Sequence, residues 1–215
     1  RMVQGMNGEL YAISQAAAEI KKYNTSTNSF DVIIGAGTRG TCADGTAATS
    51  CRISPWDLFV STTGTIYLLD NGVVRTIDAS GNIQTLYLQS LSYGDGGLAT
   101  NARFNQVKNL KMWRDGATDK IVLFDMAEKR VREFPVDGNV STIVGDGSDE
   151  SISIGGSITG TMSVGTYPHI GLDSSGNIYS YRPGLFVYTA NRSTGLWEHW
   201  LGNYSGTLYT VADGL

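Results

Sequence analysis

The sequence predicts an all-β chain, a β-propeller built from four-stranded antiparallel blades, and three observations predict it. Gly64-Thr-Ile-Tyr-Leu-Leu-Asp70 and Val73-Val-Arg-Thr-Ile77 alternate in polarity and are joined by Asn71-Gly72, the dipeptide best suited to a two-residue hairpin. A polar turn at Ala79-Ser-Gly-Asn82 then passes the chain to Ile83-Gln-Thr-Leu-Tyr-Leu88, which completes a three-strand meander. The meander occurs four times, at intervals of roughly 55 residues, a period that suits propeller blades and exceeds that of ankyrin or leucine-rich solenoids. A fourth apolar run precedes the later copies, and four short antiparallel strands stacked by repetition make a propeller.

Taken in order, Arg1-Met-Val-Gln-Gly-Met-Asn7 reads as the end of an innermost strand. Gly8–Ser14, Glu19–Tyr23 and Phe30–Ile34 follow as the first meander, with an Ala-rich first turn and a polar second one. Trp56–Val60 opens the second blade. Asn109–Trp113 opens the third and is followed by Asp119–Asp125, Arg130–Phe134 and Val140–Val144. His169–Asp173 opens the fourth, followed by Gly176–Arg182, Leu185–Thr189 and Leu196–Leu201. Val211-Ala-Asp-Gly-Leu215 aligns with the strand opening at Trp56. The repeats are set at 1–52, 53–103, 104–164 and 165–215 within one propeller segment, 1–215.

Because the sequence opens and closes inside equivalent strands, the four repeats are expected to form an arc of a larger propeller of about six blades, since an apolar blade face needs a neighbour. The alternative is a four-bladed ring in which Arg1 and Leu215 meet in one shared blade.

Composition removes several functions. With 27 Gly, 4 Pro and 41% hydrophobic residues, the chain suits short strands and tight turns rather than a collagen-like or disordered class. A net charge of −4 gives nucleic acid no electrostatic support. No apolar run approaches the roughly 18 residues of a membrane span. No signal-peptide pattern precedes Arg1, which is not an initiator Met, so the chain is expected to be a processed or excised segment. The two cysteines, Cys42 and Cys51, flank one Gly-containing loop. A short-loop disulfide is expected, hence an oxidising compartment, and two reduced thiols are the alternative. Asn24, Asn139, Asn191 and Asn203 each open an Asn-x-Ser tripeptide, a pattern that chance supplies in a chain this rich in Asn and Ser.

Ser92-Tyr-Gly-Asp-Gly-Gly-Leu-Ala-Thr-Asn-Ala-Arg-Phe104 resembles the inter-blade linker of NHL-repeat propellers, and Ala43-Asp-Gly-Thr-Ala-Ala-Thr49 is a weaker copy. Other parts of that pattern are a D-x-x-G-N-[IL]-Y turn at Asp173–Tyr179, a closing Asp at Asp70 and Asp125, and an Arg in the next strand at Arg75 or Arg130. Val144-Gly-Asp-Gly147 resembles the closing V-x-G-x-G. In the last copy the linker, 148–162, has lost the Asp-Gly-Gly element, and Arg182-Pro-Gly184 replaces the closing Asp. The chain is most similar to extracellular NHL propellers of teneurins and of large bacterial surface proteins. The resemblance implies a recognition or scaffold module, extracellular, at a cell surface or periplasmic, that binds a protein or glycan on the propeller face. It also implies that the rest of its own polypeptide completes the ring.

Propellers bind ligands where the innermost strands begin. Alignment puts Asp57, Asn109 and His169 at one equivalent position, with Asp213 near it in the truncated repeat and Trp56 alongside. A ring of carboxylate, amide and imidazole could hold a cation or polar ligand, or could cap strand ends and bond the linkers. The Asp-Gly pairs at Asp44, Asp95, Asp137 and Asp146 lie outside any EF-hand frame and read as turns. Gly94-Asp-Gly-Gly97 precedes no helix and lacks the Lys-Ser/Thr of a phosphate loop. The peptide-amidating lyases, which the scaffold resembles, hold zinc with three histidines, whereas this chain has only His169 and His199. Lactonase-like calcium sites add an axial Glu that the inner strands lack. No catalytic residue and no cofactor are therefore assigned. Two alternatives stay open: a metal-dependent lyase or lactonase-like enzyme using Asp57, Asn109 and His169, and a purely structural spacer. Trp197 and Trp200 are expected on opposite faces of one strand, one between blades and one facing out.

Overall fold

The computed structural model describes residues 1–86, 94–102, 104–148, 152–160, 162, 169–182 and 186–202. These form β1 (Met2–Gln4), β2 (Leu10–Ser14), β3 (Glu19–Asn24), β4 (Ser29–Ile34), β5 (Pro55–Val60), β6 (Ile66–Asp70), β7 (Val73–Ile77) and β8 (Ile83–Thr85). They continue as β9 (Val107–Asp115), β10 (Thr118–Asp125), β11 (Arg130–Pro135), β12 (Ser141–Val144), β13 (His169–Leu172), β14 (Ile178–Arg182), β15 (Phe186–Asn191) and β16 (Leu196–Gly202). Each run of four strands makes one antiparallel sheet in simple chain order, giving four blades. The first strands are neighbours: β1 lies against β5, β5 against β9, and β9 against β13. The four blades therefore stand in an arc with β1, β5, β9 and β13 innermost, the β-propeller architecture.

Turn chemistry fixes the hairpins. Asn71 and Gly72 both take positive φ, 48° and 84°, the conformation that a two-residue hairpin turn requires and that Asn-Gly tolerates. Asp78 and Asp173 each accept two backbone N–H groups, from Ser80 and Asn82 and from Ser175 and Asn177, so both D-x-x-G-N segments are side-chain-supported turns. The third blade departs from the sequence reading in length. β9 and β10 run on to Asp115 and back from Thr118, because Gly116 (φ 60°) and Ala117 close a tight turn there. Leu88, Leu185 and the Val211–Leu215 segment lie outside the described residues.

Three apolar cores fill the spaces between consecutive blades. Tyr11, Ile13 and Ile20 meet Leu58, Val60 and Leu68 between the first two blades. Tyr67, Leu69 and Val74 meet Leu110, Ile121 and Leu123 between the next two. Val122, Phe124 and Val131 meet Ile170, Ile178 and Trp197 between the last two. Leu68 and Leu69 thus serve different cores, as do Leu123 and Val122, because successive side chains leave opposite faces of a strand. That double burial explains why β6 and β10 read as continuous apolar runs.

The linkers repeat one backbone pattern. Gly45 and Thr46 exchange hydrogen bonds with Ile83, Gly96 and Gly97 with Val140, and Gly155 and Gly156 with Trp197, so each linker pairs with the outer strand of the blade it enters. The first two then make a single 3-10 turn, Ala48–Ser50 and Ala99–Asn101. The third linker corrects the sequence reading: it lacks the Asp, yet Gly155-Gly156 makes the same bonds, and Gly155 (φ 78°) matches Gly45 (82°) and Gly96 (83°).

Candidate functional site

Register brings the expected axial residues to one level. Asp57 faces Leu69, the residue before Asp70; Asn109 faces Phe124, before Asp125; and His169 faces Tyr181, before Arg182. In the first blade the backbone of Arg1 pairs with Ile13, before Ser14, which adds Arg1 to the same level. Sequence alignment missed Arg1 because β1, Met2–Gln4, is only three residues long and too short to set a register by pattern. Asp213 lies outside the described residues.

Asp57 is 1% exposed and fully engaged. Its carboxylate accepts the N–H of Leu58 at 2.9 Å and, across to β9, that of Leu110 at 3.2 Å. Arg1 pairs with it at 2.9 Å, and the Lys111 ammonium lies at 4.0 Å. These contacts tie β1, β5 and β9 together, so Asp57 acts as a strut between inner strands. Asn109 is buried beside it. Among the described residues, no three His, Cys, Asp or Glu side chains gather to hold a metal ion.

Trp56 is different. It sits one residue nearer the strand opening and remains 48% exposed, with the Lys108 ammonium 4.7 Å from its ring centroid. Asp57 and Asn109 are equivalent, so Trp56 and Lys108 also occupy equivalent positions on neighbouring inner strands. Among the described residues, the mouth of the arc thus brings an indole and three cations, Arg1, Lys108 and Lys111, together with the buried carboxylate of Asp57.

The other polar groups singled out by sequence hold blades together. Cys42 and Cys51 form a disulfide with Cα atoms 5.5 Å apart, and Cys51 is buried in the first inter-blade core. Arg75 donates to the Cys42 carbonyl at 3.2 Å and to Asp44 at 3.0 Å. Arg132 pairs with Asp95 at 2.6 Å. Arg132, opposite Leu123, is the counterpart of Arg75, opposite Leu68, and this decides against Arg130. In the fourth blade the corresponding positions hold Ile154 and Tyr188, so the linker Asp and its Arg partner disappear together. A cavity of about 410 Å³ near this second pair is lined by Arg130, Arg132, Asp95 and Asp146, two cations balanced by two carboxylates.

Trp113 also belongs to the framework. Its indole N–H donates to Glu133 at 2.6 Å, and Arg192, from the fourth blade, donates to the same carboxylate at 2.6 Å while lying 4.7 Å from the indole centroid. Burial alone would raise the Glu133 carboxyl, but donation by Arg192 and Trp113 outweighs it and holds the group below the usual carboxylate range. The last strand divides as expected: Trp197 is 2% exposed in the inter-blade core and Trp200 is 59% exposed against Tyr179.

No family model matches the chain, and no curated protein matches it in sequence. Solved structures do match in fold. An auxiliary nutrient-binding protein from Bacteroides ovatus superposes with a TM-score of 0.56 at 17% identity, over 91% of this chain and 46% of that one. A Bacteroides thetaiotaomicron protein of unknown function gives 0.54 at 19% identity, over 80% and 41%. Virginiamycin B lyase from Staphylococcus aureus gives 0.53 at 14% identity, over 95% and 56%. The chain spans about half the length of these neighbours, and at such identities it is similar to them in its β-propeller fold alone.

Proposed function

We propose that the chain is a ligand-binding module, an NHL-type propeller segment of an extracellular or cell-envelope protein, which takes a glycan or protein partner at the mouth of the arc. The observation that carries this reading is the exposure of Trp56 beside polar groups already committed to structure: Asp57 and Asn109 are buried, whereas the indole and the Lys108 ammonium stand at the opening. Large aromatic side chains with one open face are typical binding anchors. The nutrient-binding neighbour supports a binding role. Further blades of the same polypeptide would complete the ring, in keeping with neighbours about twice as long.

The test is capture of immobilised glycans and surface proteins by the 215-residue chain and by Trp56→Ala. Loss of capture in a variant with unchanged melting supports the reading, and equal capture by both proteins contradicts it. A second reading, a lyase with an axial metal, is favoured by the lyase neighbour and by the register of His169. Metal analysis decides it: a stoichiometric Zn or Ca lost in His169→Ala would displace the binding-module proposal.

A further inference from the structure

The charges at the mouth run against those of the chain as a whole. The protein carries −4 overall, yet Arg1 and Lys111 converge there on the Asp57 carboxylate and Lys108 adds a third cation beside Trp56. Asp57 consumes part of that charge through Arg1 at 2.9 Å and Lys111 at 4.0 Å, and its remaining capacity is taken by two backbone N–H groups. Lys108 has no part in that tie; its ammonium lies over the exposed Trp56 ring, 4.7 Å from the centroid. An excess of positive over negative groups at the opening concentrates ligands of the opposite sign there.

We propose that the mouth of the arc binds an acidic saccharide, one that carries carboxylates on its sugar rings. The proposal rests on the binding-module reading and specifies its ligand. Two features choose this class. The quadrupole of an indole is negative on its face, so the ring attracts the C–H edge of a sugar as it attracts the Lys108 cation. A sugar stacked on the ring takes the place of the Lys108 ammonium, whose flexible side chain swings to the sugar's carboxylate, where a charge-assisted hydrogen bond is stronger than a neutral one. A neutral sugar would use only the indole, and an extended polyanion without a sugar face would use only the cations.

The probes are a galacturonic acid trisaccharide and its neutral galactose counterpart, titrated into the 215-residue chain by calorimetry and by tryptophan emission. The acidic trisaccharide is expected to bind about tenfold more tightly or better, and this margin should shrink as salt rises. Lys108→Gln should weaken the acidic sugar by about tenfold and leave the neutral one unchanged. Trp56→Ala should weaken both, with melting and circular dichroism intact in each variant. Equal affinity for the two sugars, or acidic affinity that survives Lys108→Gln, overturns the proposal while Trp56-dependent binding keeps the module reading alive. Binding of neither sugar overturns the proposal as well. Tighter binding of inorganic polyphosphate at the same salt would show that charge alone is read, and would also overturn it.

Discussion

Asp125 closes β10 in full burial, accepting the Asn105 N–H at 2.9 Å. Burial pushes its carboxyl from the ordinary 3.8 up to about 6; the Glu128 carboxylate adds to the rise, while the Asn105 N–H and the Arg132 charge oppose it. Between those two values the folded chain holds a proton that the unfolded chain has released. This group therefore opposes folding in full above pH 6, and the penalty is relieved progressively as pH falls from 6 toward 3.8. Denaturant unfolding should show it contributing about 1 kcal/mol more stability at pH 5 than at pH 7. Asp125→Asn, which keeps an acceptor for Asn105, should abolish that difference; an unchanged pH slope would show that the carboxylate is not destabilised by burial. Asp70, raised by burial in the same way, stands at the equivalent position of the second blade. Both closing Asp residues were legible in the sequence. Their arginine partners were only half legible, because Arg130 and Arg132 alternate along one strand and only the pairing of Arg132 with Leu123 distinguishes them.

At the scale of the element, strand position was legible wherever polarity alternates or a Gly or Asn punctuates the turn, and the roles of Trp197 and Trp200 followed from the two-residue period. Trp197→Ala should cost about 3–5 kcal/mol by opening a cavity in the last inter-blade core. Trp200→Ala should cost less than about 1 kcal/mol as a surface change. Equal losses on chemical denaturation would mean that the strand is turned over. The third linker has lost the Asp of the Asp-Gly-Gly element but keeps its Gly pair, Gly155-Gly156. The structure uses the glycine backbone instead, and an Asp is present only where an Arg waits for it. The first linker adds a covalent clamp. Replacing Cys42 and Cys51 together by Ser should lower stability by about 2–3 kcal/mol for so short a loop, and reductant should do the same to the wild type.

For the whole molecule, the repeat period announced the number of blades and their order, and the three inter-blade cores follow from it. The level occupied by Asp57, Asn109 and His169 was legible too, but the commitment of Asp57 to Arg1, Lys111 and Leu110 was not, since those partners come from other strands. Nor could the sequence show which blade faces stay open. In the arc, Met2, Leu10, Phe30 and Val32 are exposed on the first blade, and Trp200 and Leu201 on the fourth. Stacked repeats draw stability from each neighbour, so a blade with one neighbour opens more readily than a blade with two. Hydrogen exchange of the 215-residue chain tests this most directly. The arc predicts the slowest backbone exchange in β6, β7, β10 and β11 and measurably faster exchange in β2, β3, β14 and β15. Equally slow exchange in all eight strands would contradict it, because the terminal faces would then have to be covered and the four blades closed into a ring.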